Sequence, residues 1–167
     1  MGDQTLSMFP GSAPVLQEWM DQSSYWNRAS RKKIMGWLAL MRRRFPQIHW
    51  CLLTISLPEH VRLRLFNFWL CNVSPTATAE DAEIRGWTIL LTYDSSHDRM
   101  AITPCYQVEP LLADDEWEDL LTTVKSYTRE SGILHGYREF FRHAERKLMA
   151  ASRRMNAIID RQEGGDR

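Results

Sequence analysis

The 167-residue chain lacks long apolar runs, excess charge of either sign and a large cysteine complement. No stretch reaches the roughly 18–20 apolar residues of a membrane-crossing helix. The amino terminus has no basic stretch followed by an apolar run, so no signal peptide is expected. Lys+Arg and Asp+Glu balance at 21 each, which excludes the wholly basic surface of a phosphate-neutralising protein; no nucleic-acid partner is expected. Cys51, Cys71 and Cys105 are odd in number and widely spaced, fit neither a disulfide framework nor a CxxC motif, and are expected to be structural thiols. GxGxxG, GxxxxGK, GxSxG, HExxH and EF-hand motifs are missing, so no organic cofactor is expected. His49, His60, His97, His135 and His143 pair with no ligand type at zinc spacing; His97, in a turn, is the most site-like.

What the chain does have is apolar mass, at 44% hydrophobic and 11% aromatic residues, enough for a packed core. Residues 1–14, with Pro10, Gly11 and Pro14, read as a flexible leading segment, 15–160 as one α/β domain and 161–167 as a frayed tail. Leu16, Trp19 and Met20 suggest a short helix. Ser30 is placed to cap a second helix running to about Phe45, with Ile34, Trp37, Leu38, Met41 and Phe45 as its apolar stripe. The run 48–55 reads as a central strand, since unbroken apolarity suits a sheet covered on both faces. Ser56, Pro58 and Glu59 predict a helix start, with the helix continuing to Asn72 and apolar on more than one side. Residues 73–85 read as a loop. Strands over 87–93 and 100–103, joined by the turn 94–98, form an antiparallel pair, and 105–110 reads as an edge strand or irregular crossing. The length between the first two long strands suits a β-α-β crossover. Asp114 caps the next helix, Gly132 breaks it, and a long last helix reaches towards Ile159.

Two charge blocks stand out. Glu109, Asp114, Asp115, Glu116, Glu118 and Asp119 place six acids in eleven residues without a base. They read either as acids favoured by a helix dipole or, with Asp94 and Asp98 from the hairpin, as a divalent-cation site formed by Asp94, Asp98, Glu109 and Asp114 at one end of the sheet; calcium or magnesium would suit such oxygen ligands. Arg28, Arg31, Lys32, Lys33, Arg42, Arg43 and Arg44 make the opposite block. They read as the polar face of a helix or as a patch for an anionic partner such as lipid headgroups.

From about residue 48 to 148 the chain resembles the TPM domain family, named from thylakoid-lumen, photosystem II repair and nematode receptor-modulating proteins. The "RLFNFWLCN" helix puts Trp69 at the family's tryptophan, "GWTILLTYDSSHDRMAIT" puts Gly86, Asp98 and Arg99 in its hairpin, and "PCYQVEPLLADDEW" puts Tyr106, Glu109 and Asp114 on its tyrosine, glutamate and aspartate. Cys105, Gln107 and Pro110 stand where the family has glycines, and Thr103 where it often has glutamate. The resemblance implies a three-layer α/β/α sandwich with a small mixed sheet flanked by helices. It also implies members that bind divalent cations, chiefly calcium, some with weak acid phosphatase activity and others serving as accessory factors of membrane-associated complexes, with many exported or membrane-anchored. The function expected first is therefore a binding or accessory module with a cation at the acidic sheet edge and a protein partner. The alternatives are a metal-dependent phosphatase using Asp98 and Arg99, and an adaptor that binds protein or anionic lipid through residues 28–44.

Overall fold

A computed structural model describes residues 13–76 and 78–164. The chain divides into two compact units, one ending at Glu109 and the other beginning at Pro110, a boundary inside the stretch that reads as one domain. The first unit is α/β: a mixed, open four-stranded sheet in the order β1-β2-β3-β4, with β1 (Trp19–Asp21), β2 (His49–Ile55) and β3 (Thr88–Asp94) parallel and β4 (Arg99–Pro104) antiparallel to β3. The expected fold class, the parallel crossover and the antiparallel hairpin all hold. Pro10 and Gly11 of the leading segment lie outside the described residues; Ala13, just after them, is buried.

Five local readings need correction. Residues 19–21 are a strand rather than part of a helix. Trp19 and Asp21 pair with Leu52 and Thr54 of β2, and three residues are too few to show a period of two. The Asp21 carboxylate then accepts from the Tyr25 and Trp26 N–H groups at 3.0 Å each, turning the chain into helix α1 (Arg28–Arg44). The cap of α1 is Asn27, whose side chain accepts from the Ser30 N–H at 2.8 Å, and not Ser30. Of the expected stripe, Ile34, Leu38 and Met41 are buried in the helix, Trp37 is half-buried, and Phe45, also buried, is the C-cap.

Helix α2 (Leu63–Val73) begins five residues after Pro58. The reason lies across the sheet: Arg99 Nη1 donates to the Val61 carbonyl at 3.0 Å, which holds this backbone in a turn. Phe66, Trp69, Leu70 and Cys71 of α2 pack with Cys51, Leu53, Leu90 and Ala101 of the sheet in one apolar cluster, whereas Leu65 and Phe68 are exposed. The stretch read as a loop over 73–85 contains helix α3 (Ala79–Gly86). Its capping box pairs the Thr78 hydroxyl with the Asp81 N–H at 3.1 Å and the Asp81 carboxylate with the Thr78 N–H at 3.0 Å. Residues 105–108 form a turn, the irregular crossing of the two expected alternatives, followed by one 3-10 turn over Glu109–Leu111.

The second unit is a helical hairpin, α4 (Asp114–Ser131) and α5 (Ile133–Gly164). Asp114 is the first residue of α4 and not its cap; Ala113 holds that place, and Glu116 accepts from the Ala113 N–H at 3.0 Å. Gly132, with φ of +89°, makes the reversal in a conformation that L side chains rarely adopt. The helices approach closely at Gly136, where a Cβ would lie 2.9 Å from the Val124 carbonyl oxygen. Lys147–Asp119 (2.8 Å) and Arg154–Glu116 (3.3 Å) bridge them. Helix α5 continues past Ile159 to Gly164, with Met155, Ile158 and Ile159 exposed; the end of the expected tail, 165–167, lies outside the described residues. Among the described residues no helix is long and apolar enough to cross a membrane.

Candidate functional site

Open sheets with parallel strands place ligands outside the carboxyl ends of those strands. Here that edge is formed by Asp21, Ile55 and Asp94, the last residues of β1, β2 and β3. Asp94 is fully buried, and its carboxylate is the hub of the edge. One oxygen accepts from the N–H groups of Leu57 (3.3 Å) and Ser96 (3.2 Å). The other meets Arg99 Nε at 3.0 Å, Arg99 Nη2, and His97 Nδ1 at 2.9 Å. Burial pushes the Asp94 carboxyl up, but the bonds from Arg99, His97, Leu57 and Ser96 outweigh it and hold it below the ordinary carboxylate range. A carboxylate offers about four acceptor positions, and these five contacts occupy them.

A rim of side chains ties the same loops together. Ser95 Oγ donates to Ser23 Oγ at 3.2 Å, the Ser56 and Ser96 hydroxyls bond each other, and Trp26 Nε1 donates to Thr54 Oγ1 at 2.7 Å. Tyr25 meets Tyr93 edge-on at 5.3 Å, and Tyr93 donates to Asp98 Oδ1 at 3.1 Å. Burial, then Tyr25 and Asp98, raise the Tyr93 hydroxyl's pKa. Ser24 (φ 52°) and Asp98 (φ 49°), the two non-glycine residues with left-handed backbone among those described, both belong to this edge. Sequence reading passed over Ser23, Tyr25 and Trp26. Their signal, a Ser-Ser pair followed by two aromatics directly before a helix, carries no spacing rule.

The four candidate metal ligands are not brought together. Asp94 and Asp98 share the hairpin end. Strand β4 then carries the chain away antiparallel to β3, and the turn after it bonds at the opposite end of the sheet, Cys105 N–H to Thr88 O (2.8 Å) and Gln107 N–H to Gly86 O (3.0 Å). Glu109, two residues on, belongs to that opposite end, and Asp114 opens α4 in the second unit. Within the first unit a cation cradle of Asp94, Asp98 and Glu109 therefore does not fit the geometry. Asp94 is saturated by donors that include a guanidinium. Among the described residues, no group of three or more His, Cys, Asp or Glu side chains has an arrangement suited to a metal ion. Two of the acids in the 109–119 block are instead occupied locally: Ala113 N–H and Arg154 hold Glu116 below the ordinary range, and Lys147 does so for Asp119.

Of the proposed catalytic pair, Arg99 is committed to Asp94 and Val61, and Asp98 accepts from Tyr93. A cleft of about 170 Å³ lies at the other end of the sheet, lined by Glu18, Arg42, His49, Trp50, Ile84 and Thr88 among others. It is smaller than the roughly 300 Å³ at which small-molecule sites begin, and the Arg42–Glu18 ion pair (3.0 Å) borders it.

The seven bases of α1 are all exposed. Arg42 pairs with Glu18, and Arg31 stands 5.8 Å over the Trp19 ring. Arg28, Lys32, Lys33 and Arg43 have no partner among the described residues. At 3.6 residues per turn, Lys32 and Arg43 lie opposite the buried Ile34–Leu38–Met41 stripe, with Arg28 and Lys33 on its flanks. Between them the outer face is small: nothing lies within 4 Å of a Cβ added at Gly36. No acid occupies the first turn of α1, so the positive end of the helix dipole adds to Arg28 there, with Lys32 and Lys33 one turn on and Arg43 in the last turn.

No family model matches the chain, and no curated protein matches it in sequence. Solved structures do match in fold. The NMR structure of the BA42 protein from the psychrophilic bacterium Bizionia argentinensis superposes with a TM-score of 0.59 at 10% identity, over 78% of this chain and 86% of that one. The N-terminal domain of the cg2496 protein from Corynebacterium glutamicum gives 0.58 at 8% identity, over 76% of each chain. The N-terminal domain of a protein from P. gingivalis gives 0.56 at 14% identity, over 88% of each. At these identities the likeness is one of fold alone.

Proposed function

We propose that the chain is a binding module of the TPM kind that works through a charged surface, docking the outer face of α1 on an anionic membrane surface as an accessory factor. The observation that carries this reading is the contrast in how charge is used. The buried Asp94 holds the partly exposed Arg99, while Arg28, Lys32, Lys33 and Arg43 are exposed and unpartnered on one helix. Each base near an anionic lipid surface contributes about 1 kcal/mol, so four contribute about 4 kcal/mol, roughly a thousand-fold enrichment at low salt. Leu40 is the one exposed large apolar side chain of this face, so attachment is peripheral and screened by salt.

The TPM likeness gains support from one contact. Gly86 and Tyr106, matched separately to the family's hairpin and loop, meet in the fold: a Cβ on Gly86 would lie 2.7 Å from the Tyr106 ring. The phosphatase reading requires Arg99 to release Asp94 before it can meet a phosphate, and no observation favours that exchange.

Co-sedimentation with phosphatidylcholine vesicles, with and without phosphatidylserine, tests the proposal. Binding is expected only with the anionic lipid, and is lost in high salt and in the variant Arg28→Gln/Lys32→Gln/Lys33→Gln/Arg43→Gln. Equal binding to neutral vesicles, or no binding at low salt, would overturn it.

A further inference from the structure

Cys71, near the end of α2, and Cys105, just past β4, are 34 residues apart in sequence, yet their sulfur atoms lie 2.7 Å apart with both residues buried. That is well inside the ordinary non-bonded separation of two sulfurs. A covalent S–S bond of about 2.05 Å needs only roughly 0.7 Å of further approach. Both sulfurs sit in the apolar cluster of α2 and the sheet, which also contains Cys51. The arrangement departs from what spacing alone suggests, since nothing in an odd set of three separated cysteines singles out a pair.

We infer that Cys71 and Cys105 are a redox-active pair that closes to a disulfide under a disulfide oxidant such as oxidised glutathione, leaving Cys51 as the thiol. The chemistry is two successive thiol–disulfide exchanges. One cysteine thiolate attacks the glutathione disulfide and expels a glutathione thiolate; the second then attacks the mixed disulfide and expels the other. Two protein thiols are oxidised, one glutathione disulfide is reduced to two thiols, and the protons pass to the leaving thiolates and solvent.

Burial sets when this happens. The bond from Cys105 and the apolar surroundings raise the Cys71 thiol's pKa, and burial pushes Cys51 up to about 12, so reactive thiolate is scarce in the folded protein. The disulfide therefore forms during folding or local opening, and once formed it is shielded from reductant. Its structural effect is specific. It staples α2 to the turn in which the Val108 and Glu109 N–H groups both donate to the Cys105 carbonyl and Tyr106 rests on Gly86. Oxidation makes that corner rigid.

The test is to unfold and refold the full chain in a glutathione redox buffer, alkylate the remaining thiols and map the peptides. The expected product links Cys71 to Cys105 with Cys51 alkylated. Its melting midpoint lies on the order of 5–15 °C above the reduced protein's, and hydrogen exchange slows at Val108 and Glu109. Cys51→Ser should keep this behaviour, and Cys105→Ser should lose both the cross-link and the midpoint rise. The same oxidation of native protein without unfolding should be slower by at least ten-fold. A dominant link through Cys51, or three alkylated thiols after oxidative refolding, would overturn the inference, and because mapping reads the bond directly, a variant that folds poorly does not obscure the result.

Discussion

The hairpin end of the sheet and the outer face of α1 hold similar charged groups in opposite circumstances. At the hairpin end, Asp94 is fully buried, and Arg99, His97 and two backbone N–H groups converge on it. The charges hold the 57–61 loop, the 95–98 turn and the ends of two strands together. On α1, four bases face solvent, and among the described residues their removal takes no hydrogen bond or ion pair from the fold. A buried ion pair left half-made is costly, whereas exposed charges contribute little to stability. The difference teaches that the charges most visible at a sheet edge are structural here, and that those free to meet a partner lie on a helix.

The comparison breaks first at Asp94. Asp94→Ala leaves Arg99 and two backbone donors without their acceptor; discounted for the partial exposure of Arg99, the cost is about 2–4 kcal/mol, read as a fall in melting midpoint of roughly 5–15 °C. No loss of stability would mean that the pair is not the latch described. Acid titration tests the same group next. Because the folded-state carboxyl of Asp94 is depressed, its contribution is present above the ordinary carboxylate value of 3.8 and is lost as pH falls through the lower folded value. Denaturant unfolding from pH 6 downward should therefore fall steeply below pH ~4 in the wild type and less steeply in Asp94→Asn. Parallel curves would contradict this assignment.

Smaller effects sharpen the α1 side. Arg28→Glu replaces a base with an acid in the first turn of α1 and should raise stability by about 0.3–1 kcal/mol while weakening binding to anionic vesicles. A variant that lost both stability and binding would mark Arg28 as structural. Smallest is the effect of Gly86→Ala: the new methyl meets the exposed Tyr106 ring, which can swing aside, so less than about 1 kcal/mol is expected.

How much of this was legible in the sequence depends on whether the signal was local. The strand over 49–55, the hairpin around 94–98 and the buried stripe of α1 follow from apolar patterning and turn residues, and all appear in the structure. Three elements went astray where a distant group decides: β1 needs Leu52 and Thr54 to be a strand, α2 starts late because Arg99 holds the Val61 carbonyl, and the cap of α1 shifts to Asn27 once Asp21 has turned the chain. Helix α3 was a local failure, since Thr78–Asp81 is a capping-box pair inside a stretch too polar to show a stripe. The candidate site was misjudged for a similar reason. Acids close in sequence looked like shared ligands, but an antiparallel strand separates Asp94 from Glu109, and a guanidinium five residues away had already claimed Asp94. The Cys71–Cys105 approach depends on α2 lying against β4 and is invisible to spacing.

The most direct test of the central claim, that α1 carries the functional charge and Asp94 the structural one, is a salt titration of anionic-vesicle binding by the wild type and the variant with Arg28, Lys32, Lys33 and Arg43 replaced by glutamine, both confirmed to melt at the same midpoint. The account predicts binding by the wild type that falls steeply with salt, and binding at least ten-fold weaker, with little salt dependence, by the variant. Equal binding by the two proteins at low salt would contradict it.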